Sequence, residues 1–218
     1  MITKITLHSF GLSVLLLSMV GSTSAQQLIL ESASDGIVVD QNGDEFFDTA
    51  NSATAPSAID QTLFGGPEFR GILEFETSAI PTGSILTSVV FNAGSSSFDT
   101  NDAEFFLYSG DGDVNVQDAT GGSRLGTFDI PAFPATYTQS FDVFEFQSLL
   151  DNSATHFGIR FESDDATNVA FFGADNAAAN SAVPPTLTVY FVTVPEPSGL
   201  LPAFLAITSL VLRRKRFT

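Results

Sequence analysis

The chain has no cysteine, which removes disulfide frameworks, thiolate metal sites and thiol nucleophiles at once. A body of roughly 170 residues can stand without disulfides even outside the cell, because it buries enough apolar surface. Tryptophan is absent too, and histidine occurs only at His8 and His156. Bases are scarce: eight Lys and Arg face 25 Asp and Glu, for a formal net charge of −17. Between residues 26 and 194 only Arg70, Arg124 and Arg160 stand against 24 carboxylates, a net of −21. Such a body repels phosphate backbones, so nucleic acid is excluded as a partner and divalent cations are the natural counter-ions. Long apolar runs are missing as well. Neither Phe10–Val20 nor Gly199–Leu212 reaches the roughly 20 residues of a membrane span.

What is present is phenylalanine. Twenty-two Phe within 44% hydrophobic content supply ample core material and argue against the disorder that acidity and Ser/Asn/Gly richness would otherwise favour. A chain of 218 residues suits one substantial core and is short for two.

From Gln26 to Val194 the chain reads as short strands divided by Gly, Asn, Asp, Ser and Pro clusters. Strands are expected at Leu28–Glu31, Ile37–Asp40, Gly71–Glu76, Leu86–Asn92, Glu104–Ser109, Arg124–Ile130, Thr138–Phe144, Thr155–Glu162, Asn168–Gly173 and Thr186–Thr193. In "THFGIRFE", Phe157, Ile159 and Phe161 share one face, while His156, Gly158, Arg160 and Glu162 share the other. In "LTVYFV", Leu187, Val189 and Phe191 fall together. Period-two patterning with one wet face indicates antiparallel sheets. The one helical piece is "FEFQSLLDN". The expected fold is therefore all-β, an antiparallel β-sandwich of jelly-roll type.

The two ends read differently. Lys4, the apolar run Phe10–Val20 and the small residues Thr23 and Ala25 have the three-part layout of a secretory signal peptide cleaved before Gln26, rather than of a buried helix or permanent anchor. The expected organisation is thus a signal peptide at 1–25, a sandwich at 26–194 and a hydrophobic tail at 195–218. In that tail, fourteen helical residues span about 21 Å, short of a hydrocarbon core of about 30 Å. The bases after it favour leaving the C-terminus in the cytoplasm.

Pro195-Glu196-Pro197, the apolar run and the cluster Arg213, Arg214, Lys215 and Arg216 occur in that order at the terminus. Together they resemble the PEP-CTERM sorting signal of Gram-negative bacteria. The resemblance implies recognition by an exosortase, a membrane transpeptidase-like enzyme, with transient membrane contact, cleavage near Pro-Glu-Pro and passage to the cell surface or exterior. The alternative is an ordinary single-span anchor. Bacteria with this signal tend to make exopolysaccharide, which the resemblance offers as a partner.

A second stretch, "RGILEFETSAIPTGSILTSVVFNA", resembles the opening of the DNRLRE-like secreted jelly-roll domains. Phe75, Ser78, Ile80, Pro81 and Gly83 match that pattern, and Leu86 stands for its Ile. Glu76 replaces its Asp, and Val89 and Phe91 replace its Ala and Leu. Domains of this kind occur in surface proteins and beside polysaccharide-acting modules, and they imply a fold more than a function.

Catalytic chemistry finds little footing. His156, the one histidine of the body, lies mid-strand with no G-x-S-x-G elbow to partner it, and reads as a solvated strand residue. No P-loop, dinucleotide fingerprint or H-E-x-x-H occurs. The loop "SGDGDVNVQDATGG" places Asp111, Asp113, Asn115 and Asp118 at spacings suited to a partial Ca²⁺ site, or to a solvated acidic hairpin loop. Leu107 and Ser109 stand where the early ligands of a complete EF-hand would lie. The pairs Phe46-Phe47, Phe105-Phe106 and Phe171-Phe172 each direct one ring to either sheet face, leaving one of each less buried. The sequence thus points to an exported, non-enzymatic surface or matrix protein. The other reading is a carbohydrate-binding module for the producer's own exopolysaccharide.

Overall fold

Residues 24–52, 56–60, 66–163, 169–177 and 180–194 are described by a computed structural model. Its first strand, β1 (Ala25–Asp40), joins two of the expected strands into one. The Ser-rich stretch between them is a bulge, with a register shift between Ser32 and Ser34, instead of a turn. That bulge bends β1 from one sheet into another.

The remaining strands are β2 (Thr49–Asn51), β3 (Ser57–Asp60), β4 (Glu68–Glu76), β5 (Ser84–Gly94), β6 (Asn101–Gly110), β7 (Ser123–Ile130), β8 (Thr136–Phe141), β9 (His156–Glu162), β10 (Val169–Ala170) and β11 (Thr186–Thr193). One sheet runs β1-β11-β5-β8 through the first half of β1. The other runs β7-β6-β9-β4-β1 through its second half. Every pairing is antiparallel. The chain crosses between sheets from β4 to β5, β5 to β6 and β7 to β8, so the described residues form the expected jelly-roll-like sandwich.

The core lies where the two patterned faces meet. Phe157, Ile159 and Phe161 are fully buried, as are Leu187 and Val189, with Phe191 nearly so. Phe105 packs among Phe91, Phe128, Tyr137, Phe141, Phe161 and Phe171, with ring centroids 5.7–6.3 Å apart. Edge-to-face and offset rings at such spacings add to the area they bury.

Most expected strands lie within a few residues of the observed ones, β2 and β3 are additional, and two strands end well short. The strand expected at Thr138–Phe144 stops at Phe141, because the Asp142 side chain accepts from Phe144 N (2.8 Å) and caps helix α1 (Val143–Asp151). The expected helix is thus present, starting one residue earlier. It buries Phe146 between Phe141 and Phe157. Its Gln147 accepts from Leu86 N (2.7 Å) and donates to Ser84 O (3.3 Å), fastening it to β5. The strand expected at Asn168–Gly173 shrinks to β10, followed by a single bridge between Phe171 and Ser95 and the short helix α2 (Ala174–Ala177). Asn168 lies outside the described residues.

Residues 1–23 of the expected signal peptide (1–25) and the residues of the expected sorting signal, Pro195, Glu196, Pro197, Arg213, Arg214, Lys215 and Arg216, also lie outside the described residues. Among the described residues no helix is long and apolar enough to cross a membrane.

Candidate functional site

The polar face of β9 is not wet, contrary to the expectation from its alternation. Gly158 and Arg160 are buried and Glu162 is half-buried. The β6–β7 connection folds back over this outer face, where Val38, Ile72, Tyr108 and Ala119 form a second small core with Phe47 and Val114. A one-sided sheet has become two-sided.

Inside that connection lies a 3₁₀ turn, Val116–Ala119, closed by a reciprocal cap. Asn115 Oδ1 accepts from Gln117 N (3.0 Å), and Asp118 Oδ2 accepts from Asn115 N (2.8 Å). Asp111 Oδ1 accepts from Asp113 N (3.1 Å), and Asn115 Nδ2 approaches the Asp111 carboxylate (3.4 Å) and Asp113 O (3.2 Å). The four proposed cation ligands are thus brought into one loop, where Asn115 Oδ1 and Asp118 Oδ2 accept the capping bonds. Among the described residues no group of three or more His, Asp or Glu converges in a metal-binding arrangement. The capping box, Asn115 followed three residues later by Asp118, was legible in the sequence and marks this segment as structured rather than merely solvated.

Beneath the turn sits a charged network that the sequence reading did not single out. Glu74, fully buried, accepts from Tyr108 Oη (2.9 Å) and from Gly112 N (2.5 Å). Arg160 pairs with Glu162 (2.7 Å) and donates to Gly121 O (2.8 Å), with its guanidinium 4.4 Å above the Phe106 ring. Arg70 pairs with Glu68 (2.6 Å) and Glu162 (3.1 Å), donates to Ala119 O, and lies 4.5 Å over the Phe47 ring. Two of the body's three arginines therefore hold the loop's carbonyls down, and the paired-Phe pattern supplied the rings beneath them. Burial raises the pKa of Asp118 to about 6, against the Asn115 N–H and with help from the nearby Glu74 and Asp111 charges. Burial also raises Glu74, opposed by Gly112 N–H and the Tyr108 hydroxyl. His156 is not mid-strand as expected but opens β9, half-buried, with its Nδ1 3.3 Å from Thr155 Oγ1. These groups have one another as partners, and their arrangement is that of a latch.

Surface-accessible features lie elsewhere. A cleft of about 640 Å³ opens between β7 and β8, lined by Thr127, Phe128, Asp129, Tyr137 and Gln139 among others. The Tyr137 ring belongs to the core, and burial raises its hydroxyl pKa. A notch of about 320 Å³ at another rim is lined by Ser96, Ser97, Phe98, Phe133, Phe172 and Asn180. Phe98 is 87% exposed and Phe133 53% exposed, and the Phe133 and Phe172 rings meet edge to face at 5.7 Å.

The described residues define an antiparallel β-sandwich with one loop-covered outer face and one aromatic notch. No protein-family model matches the chain, and no curated protein matches it. Among solved structures, it is similar to the CBM35 from Cellvibrio japonicus Abf62, at 11% identity and a TM-score of 0.31, over 75% of this chain and 92% of that one. It is similar as well to the Tobacco streak virus coat protein, at 11% identity and a TM-score of 0.34, over 78% of this chain and 88% of that one. Likenesses this distant say nothing about ligand or activity.

Proposed function

We propose that the chain is an exported, non-enzymatic sandwich protein of the cell surface or extracellular matrix, sorted through its C-terminal signal by an exosortase-type enzyme. The observation that carries this reading is the order Pro195-Glu196-Pro197, apolar run and base cluster, beginning two residues after β11 ends at Thr193. The pairing of the terminal strands supports it. Ala25 lies opposite Val192, so cuts after Ala25 and near Pro195 fall at the margin of the ladder instead of through it. The buried ionisable groups also favour a structural part, since they face one another under a closed loop.

Intact-mass measurement of protein from the native host tests the reading. The mature chain is expected to lack both Met1–Ala25 and Leu200–Thr218. A mass that retains Arg213, Arg214, Lys215 and Arg216 overturns exosortase sorting and leaves an ordinary anchor. Replacing those four bases with Ser should spoil processing, because each charge costs on the order of 2.5–3.5 kcal/mol at the bilayer centre and so acts as a stop.

A second reading, binding of the producer's own exopolysaccharide, is favoured by the notch at Phe98, Phe133 and Phe172. It combines exposed rings with hydroxyl and amide groups.

A further inference from the structure

We infer that the Phe98–Phe133–Phe172 notch is a binding site for a neutral glycan chain, an assignment that rests on the carbohydrate reading above and gives it a place and a ligand class. Three features of the notch converge on that chemistry.

The first is rigidity. Three separate segments are tied by backbone bonds: Phe133 N donates to Ser97 O (2.8 Å), Ser95 N to Ala135 O (2.9 Å), Ser96 N to Ala170 O (2.9 Å) and Phe172 N to Gly94 O (3.0 Å). Ser97, fully buried, accepts from Ala170 N (2.9 Å) through its hydroxyl and donates to Ala170 O (3.3 Å). The backbone that carries Phe133 and Phe172 is thus fixed before any ligand arrives, and their two rings rest against each other, which lowers the ordering cost of binding.

The second is the mixture of groups. Phenyl faces take the C–H face of a pyranose, while the half-buried Ser96 hydroxyl beside them offers a donor and acceptor matched to sugar hydroxyls. A volume of about 320 Å³ falls at the small end of ligand sites and suits one or two sugar units of a longer chain.

The third is charge. None of the six lining side chains ionises, and Asp99, next along the chain, is exposed. The surrounding body carries a net of −21 between residues 26 and 194. Uronate-rich or phosphorylated polymers would be repelled by it, so the ligand that fits is uncharged.

The test uses the full chain solubilised in detergent and titrated with cellohexaose, maltohexaose, mannohexaose, xylohexaose and hexagalacturonate. At least one neutral hexasaccharide is expected to bind, and Phe133→Ala and Phe98→Ala should each weaken it about tenfold. Phe98→Tyr, which keeps the ring, should retain binding. Phe144→Ala removes an exposed ring, 73% accessible, on helix α1 outside the notch lining and should change nothing. Should Phe133→Ala unfold, Phe98→Ala carries the test, because its side chain contributes little to packing. Binding that survives both Ala variants overturns the notch and leaves the carbohydrate reading standing. No binding of any neutral sugar overturns both. Preference for hexagalacturonate overturns the neutral class. A concentration-dependent dimer in sedimentation that Phe98→Ala dissolves, without sugar binding, reassigns the notch to self-association and overturns the proposal.

Discussion

Tyr108 lies across Gly158 and donates its hydroxyl to Glu74 at 2.9 Å. Gly158 is paired with Tyr108 on one side and Glu74 on the other, so a single side chain ties β6 to β4 over the bare backbone of β9. The crossing is possible because residue 158 has no side chain. A Cβ there would stand 2.2 Å from Tyr108 Cζ.

Gly158→Ala should therefore displace the ring and destabilise the protein by about 2–4 kcal/mol, the range for overpacking combined with a lost buried bond. Tyr108→Phe, which keeps the ring and removes the donor, should cost about 1–2 kcal/mol. Urea denaturation of the two variants measures both. A Gly158→Ala penalty smaller than that of Tyr108→Phe would show that the ring has room to move.

The buried Asp118 makes stability depend on pH. Its folded pKa is raised to about 6 from an ordinary 3.8, with burial as the leading cause. The folded state therefore holds this proton to higher pH than the unfolded chain. The associated stability is fully present below 3.8 and is lost as pH rises through 6. Asp118→Asn preserves an acceptor for Asn115 N and removes the buried charge. It should gain about 1–2 kcal/mol at pH 7.5 and nothing at pH 3, read as thermal midpoints at the two values. Loss of stability at both would assign the carboxylate a structural bond that an amide cannot replace.

Asp40 works in the opposite sense. Its burial raises its pKa, but the N–H groups of Gly43, Glu45, Asn42 and Asp44 together outweigh that and lower it. Stability from this carboxylate is present above its ordinary 3.8 and is lost as pH falls below it. Asp40→Ala should cost about 2–3 kcal/mol at pH 7, and the difference from the unmodified chain should narrow at pH 3. A penalty that does not change with pH would mean that shape alone accounts for it.

Within the loop the side chains of Asp111, Asn115 and Asp118 accept backbone hydrogen bonds, and Asp113 takes part through its N–H. Millimolar Ca²⁺ and ionic-strength-matched NaCl should thus raise the thermal midpoint equally, through screening of an acidic body. Asp113→Ala should leave both shifts in place. A larger shift with Ca²⁺ that Asp113→Ala abolishes would establish the cation site instead.

Two phenylalanines give the plainest test of the core. Phe105 is fully buried, and Phe105→Ala should cost about 3–5 kcal/mol. Phe144 is mostly exposed, and Phe144→Ala should stay within about 0.5 kcal/mol. Calorimetry or urea titration separates them, and equal penalties would place Phe144 in an unrecognised packing role.

The sequence alone determined which faces turn inward. Phe157, Ile159 and Phe161, like Leu187, Val189 and Phe191, had to be buried together because strand side chains alternate with period two. It likewise determined the acidity of the body and the order of groups in its C-terminal tail. Whether the opposite faces meet water was decided only by the tertiary structure. Arg160 falls on the face of β9 expected to be wet, yet the β6–β7 loop covers it, and the neighbouring Glu74 is fully buried as well. That covering depends on Arg70 and Arg160 meeting the loop's carbonyls across 49 and 39 residues of sequence. The notch is of the same kind, since Phe98, Phe133 and Phe172 come from three separate segments. Local periodicity reports the side to which a residue points, and only the closure of distant segments settles what lies there.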